Sequence, residues 1–385
     1  MTQQVVEEGK KRSKLAVALS GGGARAAYQA GVLYHIGRRL PKLQVPILTG
    51  VSAGGINLGF LASYRGDFLD ATQTLKNHWL SLSTEKVFQT NPTSLVRGVF
   101  RSGVSLLAGG STLGPEFRSL LDTSPLFQFV KRNMTMSNIQ ERLDAGDLEA
   151  VGLTAISYKT GRTVLFVQGD TPIRTTSSRS HHRIVQTTLT IDHIMASAAI
   201  PLLFPASKIG RKYYGDGSFR LTAPLGPAIH LRAGKIFAIS ARYGRAPSEE
   251  NQPDSIGGYP PPARVLGLLL NSVFLDTLDW DATSVRRINH LIDQLTPAAR
   301  EKESLRRVDL MIQRPSKDIG KLASNFEVQL PRGLRFLVRG LGTPNTQNAD
   351  FLSYLLFESE YIKTLIELGE ADAESNWENI RNFLT

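Results

Sequence analysis

A serine flanked by glycines is the side chain in this sequence best suited to nucleophilic chemistry. Residues 45–48 form a short apolar run that predicts a buried strand, and Gly50-Val51-Ser52-Ala53-Gly54 follows closely. The pattern Gly-x-Ser-x-Gly after a strand is typical of a nucleophile elbow, in which a sharp strand-to-helix turn presents the serine. Glycine suits both flanking positions because the two backbones pass too close to leave room for a Cβ atom. Short patterns of this kind also occur in ordinary loops, so the prediction for Ser52 depends on the rest of the chain.

Three consecutive glycines upstream of the serine predict a backbone site for an anion. Residues 15–19 are a continuous apolar run typical of a central parallel strand, and Ser20-Gly21-Gly22-Gly23-Ala24-Arg25 leads from it into a predicted helix over 26–40. The N–H groups of Gly21, Gly22 and Gly23 can point at an oxyanion as it develops. Arg25 would add positive charge beside them.

Two other interpretations fit the same glycines. The turn matches a loose form of the dinucleotide-binding pattern, but the acidic residue expected about 20 positions later for the ribose is missing. We therefore disfavour nucleotide binding. A purely structural role, in which the glycines let the helix pack tightly on the sheet, remains open and is compatible with an oxyanion site.

An aspartate on a predicted tight turn is the candidate base. Asp216 lies between Gly215 and Gly217 after a short predicted strand, although Asp-Gly is also common in ordinary turns. A triad in the order Ser, Asp, His would use His230 or His290, which both lie downstream. Neither histidine lies in a turn-like motif, and both positions are typical of structural or exposed side chains.

The remaining pattern predicts an α/β fold. Strand, helix, strand and helix alternate over residues 15–64, as in a βαβ unit. Further segments are predicted as a hairpin (151–158 with 162–168), a helix (191–199), a core strand (235–240), a long helix (263–295), an edge strand (308–312) and a closing amphipathic helix (351–368).

Composition limits the class of protein and of partner. Of 385 residues, 41% are hydrophobic and 21% charged, which is ordinary for a globular protein. The absence of cysteine excludes disulfides and thiolate catalysis. A net charge of +11 favours binding to polyanions, either nucleic acid or an anionic membrane.

We see no signal peptide and no run of transmembrane length, so we expect a cytoplasmic or peripheral membrane protein. The basic, apolar segment 95–107 fits either a membrane-facing amphipathic segment or an ordinary half-buried helix.

Four motifs taken together resemble the patatin-like phospholipases, in particular their bacterial members. They are Ser20 to Arg25, Gly50 to Gly54, Ala196-Ser197-Ala198-Ala199-Ile200-Pro201 and Asp216-Gly217. The resemblance covers residues 14–230 well and the remainder loosely. It implies a three-layer α/β/α sandwich with a mainly parallel central sheet. It also implies one acyl hydrolase domain over 14–385, with a helical extension over about 263–385 and a flexible tail over 1–13.

The resemblance further implies a serine-dependent carboxylic ester hydrolase of phospholipase A or lysophospholipase type. It carries over Ser52 as nucleophile and Asp216 as base, in a dyad that uses no histidine, metal or other cofactor. Gly21, Gly22, Gly23 and Arg25 match the oxyanion loop. The implied partners are a phospholipid or other lipid ester and the membrane that contains it, and no nucleic acid.

Two residues depart from the family pattern. Ala26 and Ser218 stand where the family usually has Gly, or Gly or Ala, respectively. Two alternatives therefore remain: a soluble carboxylesterase or thioesterase with the same dyad, and a catalytically weakened module that binds a membrane or a partner. Preference for short soluble esters would indicate the first, and a serine that does not react with a fluorophosphonate would indicate the second.

Overall fold

A computed structural model describes residues 13–89, 119–169, 182–244, 260–302, 304–340, 342 and 350–385. The predicted tail 1–13, except for Ser13, and the segment 95–107 lie outside these described residues. Among the described residues, no helix combines the length and the apolarity needed to cross a lipid bilayer.

Within the described residues, nine strands form one mixed sheet in which parallel pairs predominate. In chain order they are β1 (Leu15–Leu19), β2 (Ile47–Val51), β3 (Ala150–Ser157), β4 (Thr163–Gly169), β5 (His182–Gln186), β6 (Ser207–Ile209), β7 (Lys212–Asp216), β8 (Lys235–Ile239) and β9 (Asp309–Gln313). The order across the sheet is β5-β4-β3-β2-β1-β8-β9, and the hairpin β6–β7 pairs with β3. The strands β3, β2, β1, β8 and β9 run parallel, so the centre of the sheet has the predicted character.

Helices cover the sheet on both faces. They are α1 (Ala27–Arg39), α2 (Ala53–Ser63), α3 (Phe68–Leu80), α4 (Thr84–Val87), α5 (Ser124–Asn133), α6 (Ser137–Asp144), α7 (Ile191–Ser197), α8 (Gly226–His230), α9 (Pro262–Asn271), α10 (Thr277–Gln294), α11 (Pro297–Lys302), α12 (Ile319–Ser324), α13 (Arg332–Gly340), α14 (Asp350–Leu355), α15 (Ser359–Ser375) and α16 (Trp377–Leu384). A five-residue π-helical turn, Ser272–Asp276, joins α9 to α10.

The side chains of β1 point alternately to two hydrophobic cores, one on each face of the sheet. Leu15, Val17 and Leu19 pack into the larger core, which contains α1, α2 and α15. Ala16 and Ala18 face the smaller core, formed with α8 and α10. Because successive strand residues point to opposite faces, the sheet is enclosed on both sides. The α/β/α sandwich expected from the sequence is thus present.

The long C-terminal helix α15 packs closely against α1. A Cβ on Gly31 would lie 2.1 Å from the carbonyl oxygen of Ile366, and a Cβ on Gly369 would lie 2.3 Å from that of Tyr28. Glycine on each helix therefore permits an approach that no other residue allows. The single domain expected over 14–385 stays a prediction.

Most predicted elements are confirmed within a few residues, including the hairpin β3–β4 and the edge strand β9. The prediction of one helix over 351–368 is wrong, because the chain breaks at 356–358 between α14 and α15. The break buries Leu356 and Phe357 together. In a continuous helix these neighbours would point about 100° apart.

Candidate active site

Ser52 occupies a strained turn between β2 and α2. Its backbone angles are φ 56° and ψ −133°, and it is the N-cap of α2. Cβ atoms on the flanking glycines would collide with backbone, on Gly50 at 2.7 Å from the Gly54 carbonyl oxygen and on Gly54 at 2.4 Å from that of Leu19. Positive φ in a residue other than glycine costs about 1–3 kcal/mol and is concentrated at functional sites. The strand–turn–helix geometry predicted around this serine is therefore present.

Pairing along β3 brings Asp216 close to Ser52. Val51 of β2 pairs with Thr154, and Asp216 of β7 pairs with the next residue of β3, Ala155. Strand β4 pairs with both of these β3 residues from the other edge, so β2 and β7 lie end to end along one edge of β3. Ser52 follows directly after Val51, and the two residues therefore meet where the carboxyl ends of β2 and β7 adjoin.

Asp216 is fully buried and only half satisfied. Its Oδ1 accepts a hydrogen bond from the backbone N–H of Ser218 at 2.9 Å. Its Oδ2 has no partner in normal hydrogen-bond geometry within the described part of the chain. Burial raises the pKa of Asp216 to about 7, and the nearby Ser52 hydroxyl and the Ser218 turn offset part of that rise. A carboxyl with a pKa near neutrality can both accept and return a proton, as a general base must.

Ser197 fixes the backbone of the nucleophile. Its Oγ accepts a hydrogen bond from the Ser52 N–H at 3.0 Å and donates one to the Thr154 carbonyl at 2.6 Å. Ser197 was not among the predicted site residues, although it lies in one of the four motifs. That membership was the only signal, because the contact depends on how α7 packs against α2 and β3.

The glycine loop leaves backbone donors beside Ser52. No acceptor within the described residues receives the N–H of Gly22, Gly23 or Ala53. A Cβ on Gly21 would lie 3.0 Å from the Cβ of Ser52, so the loop is in direct contact with the nucleophile. Unpaired N–H groups beside a nucleophile can stabilise an oxyanion.

Arg25 contacts the C-terminal part of the chain. Its buried guanidinium forms an ion pair with Asp350 (Nη2–Oδ1 2.8 Å) and donates to Ser353 Oγ at 2.7 Å and Asn271 Oδ1 at 3.2 Å. It also lies 4.3 Å from the centre of the Tyr354 ring. These contacts hold the glycine loop against α14, and direct action of Arg25 on an oxyanion stays a prediction.

A mostly apolar pocket opens beside Ser52. The centre of a water molecule can reach about 40 Å³ of it, and the total empty space is about 550 Å³ when the space open to solvent at its mouth is included. Gly23, Ser52 and His78 contribute to its lining; the other lining residues are Ala53, Ile56, Phe60, Trp79, Leu82, Val87, Leu126, Phe129, Ala198, Ile200, Phe204 and Phe357. His78 stacks on Phe60 at 4.6 Å, and burial lowers its pKa, which favours the neutral ring. The pocket therefore suits an uncharged hydrocarbon chain.

The two histidines considered for a triad lie elsewhere. His290 is exposed and shares a hydrogen bond with Gln294 at 3.0 Å. His230 ends α8, whose apolar residues face the smaller core. Within the described part of the chain, neither contacts Ser52 or Asp216.

The patatin-like phospholipase family model matches residues 17–229, more than half of the chain. The chain therefore belongs to the patatin-like phospholipase family. A comparison with curated proteins gives no match.

Solved structures of low sequence identity are also similar to the chain. VipD from Legionella pneumophila is 10% identical with a TM-score of 0.29, and the match covers 92% of this chain and 67% of VipD. Human GIVD cytosolic phospholipase A2, in complex with methyl gamma-linolenyl fluorophosphonate, is 13% identical with a TM-score of 0.45, covering 97% of this chain and 59% of the enzyme. The type III effector ExoU is 14% identical with a TM-score of 0.27, covering 92% of this chain and 53% of ExoU. This chain thus spans little more than half the length of two of these proteins.

Proposed function

We propose that this protein is a lipid acyl hydrolase of phospholipase A or lysophospholipase type that acts through Ser52 and Asp216. One observation carries the proposal: Ser52 lies between a buried carboxylate with an unpartnered oxygen and the apolar pocket. The first supplies a base, and the second accommodates an acyl chain next to the nucleophile.

The reaction follows from this arrangement. Asp216 takes the hydroxyl proton of Ser52 as Oγ attacks the ester carbonyl, and N–H groups of the glycine loop stabilise the oxyanion. The carbon–oxygen bond to the alcohol breaks, and the alcohol leaves with the proton held by Asp216. Water then gives a proton to Asp216 and attacks the acyl-serine. Cleavage of that ester returns the proton to Ser52 and releases the fatty acid.

The acyl side of the substrate is better defined than the alcohol side. Among the described residues, no charged side chain lines the pocket, so an anionic or zwitterionic headgroup would lose its hydration there without compensation. We therefore assign the pocket to the acyl chain, with the headgroup outside. A soluble carboxylesterase would need less apolar volume beside its serine.

The test combines labelling with hydrolysis. A fluorophosphonate should label the wild type and not Ser52→Ala, and the wild type should release fatty acid from phosphatidylcholine or lysophosphatidylcholine. Ser63→Ala is a matched control, because Ser63 is a buried serine of the same helix whose hydroxyl donates to the Gly59 carbonyl. Cleavage of p-nitrophenyl butyrate by Ser52→Ala would contradict the dyad. Hydrolysis of butyrate alone would favour a carboxylesterase, and a wild type that does not label would favour a binding module.

We also propose peripheral contact with an anionic membrane through α9. This helix buries Ala263, Gly267 and Leu270 while its outer face exposes four apolar side chains: Val265, Leu266, Leu268 and Leu269. Its C-terminal end continues to Phe274, which lies against Gly21, so the exposed face adjoins the site. Exposed apolar side chains and a net charge of +11 together favour an anionic lipid surface.

Charged substitutions on α9 test the contact. Leu268→Glu with Leu269→Glu should weaken binding to vesicles containing phosphatidylglycerol and slow hydrolysis of vesicle lipid, leaving p-nitrophenyl butyrate hydrolysis unchanged. Leu291→Glu is the control, because Leu291 is equally exposed on α10. Equal vesicle binding by both variants would contradict the assignment to α9.

A further inference from the structure

The buried hydroxyl of Ser218 has no part in the reaction described above. Ser218 is 6% exposed, and its Oγ lies near the Asp216 carboxylate but has no partner in normal hydrogen-bond geometry within the described residues. Asp216 Oδ2, in the same turn, is also buried without a partner in that geometry. Leaving a polar atom buried and unpaired is costly, so two such atoms two residues apart require an explanation.

Both atoms face the space around the nucleophile. A Cβ on Gly21 would lie 2.9 Å from Ser218 Oγ and 3.0 Å from the Cβ of Ser52, so both serines border one point of the glycine loop. The N–H of Ser218 already holds Asp216 Oδ1, which fixes the hydroxyl relative to the carboxylate. Tyr158 is the titratable side chain that faces Asp216 from a neighbouring element, and it is half exposed.

We propose that Ser218 positions the water that hydrolyses the acyl-serine. This inference rests on the proposed function of Ser52 and Asp216. In the acyl-enzyme, Ser52 Oγ is esterified and has no proton to donate, so the carboxylate loses that neighbour. One water can then hydrogen-bond to Asp216 Oδ2 and Ser218 Oγ together, which satisfies both unpaired atoms.

The step requires no other reactant. The water gives a proton to Asp216 Oδ2, and its oxygen bonds to the acyl carbon. The bond from that carbon to Ser52 Oγ then breaks, and Asp216 returns the proton to Ser52. Ser218 stays unchanged throughout and acts by orienting the water, so it is a positioning residue.

A role confined to water attack predicts separate effects on the two half-reactions. Acylation uses the alcohol of Ser52 and needs no water, so Ser218→Ala should leave its rate within about twofold. Deacylation should slow by about tenfold, the effect of losing one orienting hydrogen bond. A merely structural defect would slow both steps.

The experiment measures the two steps directly on the full chain. The burst of p-nitrophenol from p-nitrophenyl butyrate gives the acylation rate, and intact-protein mass spectrometry follows the decay of the butyryl adduct after the excess ester is removed. Ser218→Gly repeats the test with a second variant. Ser324→Ala is the matched control, because Ser324 also has a buried hydroxyl without a partner in the described chain but lies on α12.

Slower decay of the adduct with normal acylation in both Ser218 variants would support the proposal. Unchanged decay, or equal slowing of both steps, would overturn it. Failure of the underlying function is a different result, in which the wild type forms no adduct or Ser52→Ala still forms one.

Discussion

Replacing Asp216 with asparagine should stabilise the folded protein at alkaline pH while it removes the base. The carboxyl has an ordinary pKa of 3.8, and burial raises the pKa of Asp216 in the folded protein to about 7. The folded state therefore holds this proton more tightly than the unfolded state. Below pH 3.8 the group is protonated in both states and contributes no difference. Between the two values unfolding releases the proton, so stability falls as the pH rises.

The size of the effect follows from the two values. Stability should fall by about 1.4 kcal/mol for each pH unit between them, so that the ionised carboxylate costs about 4 kcal/mol above pH 7. Asparagine cannot ionise, and its side-chain oxygen can still accept the N–H of Ser218. The stability gained by Asp216→Asn should therefore be about 3 kcal/mol larger at pH 9 than at pH 5.

Urea unfolding of the wild type and Asp216→Asn at several pH values measures this difference, with the three tryptophans as the fluorescent probe. Asp144→Asn is the control, because Asp144 is an exposed aspartate. A gain for Asp216→Asn that is the same at pH 5 and pH 9 would refute the reasoning. It would mean that burial does not penalise this carboxylate.

Three other changes test the surroundings of the dyad. Asp350→Asn should destabilise the protein by about 3–5 kcal/mol in chemical unfolding, because it leaves the Arg25 guanidinium buried without a counter-ion; a change below 1 kcal/mol would contradict this. Gly23→Ala should slow fluorophosphonate labelling severely, since its φ is 57° and a Cβ would lie 2.3 Å from the Tyr354 carbonyl oxygen; a normal labelling rate would show that the loop tolerates the side chain. Ile56→Trp should partly fill the apolar pocket and lower kcat/KM for long-chain esters more than for butyrate, and a uniform loss would argue against the acyl-chain assignment.

Local steric requirements made the nucleophile turn predictable. Gly50 and Gly54 are needed where a Cβ would meet backbone, and that need leaves a readable pattern within five residues. The position of Asp216 is different. Its turn could be recognised, but its meeting with Ser52 depends on the pairing of β3 with both β2 and β7. Register between distant strands leaves no local pattern, so only the family resemblance joined the two residues.

The contacts of Arg25 were also not predictable from the local sequence. Its nearness to three glycines in sequence suggested a role at the oxyanion, but its described contacts are with residues 271 and 350–354. A buried charge pairs wherever the fold offers an acid, and the acid here is 325 residues away. The break between α14 and α15 was missed for a related reason, because helical periodicity continues through 356–358 although tertiary packing decides the turn.

The C-terminal segment explains why the glycine loop has its composition. Gly23 has no room for a Cβ because the Tyr354 carbonyl occupies that space, and Arg25 is held by Asp350 on the same helix. Phe357, just beyond α14, lines the pocket beside Ser52. All three C-terminal residues lie outside the family match over 17–229. The glycine-loop motif and the loosely similar extension therefore form one structural unit, in which α14 supports the glycine loop and Phe357, just beyond it, lines the acyl pocket. Changes in that extension should alter the rate at Ser52 without any contact with the nucleophile, because they move the loop that faces it.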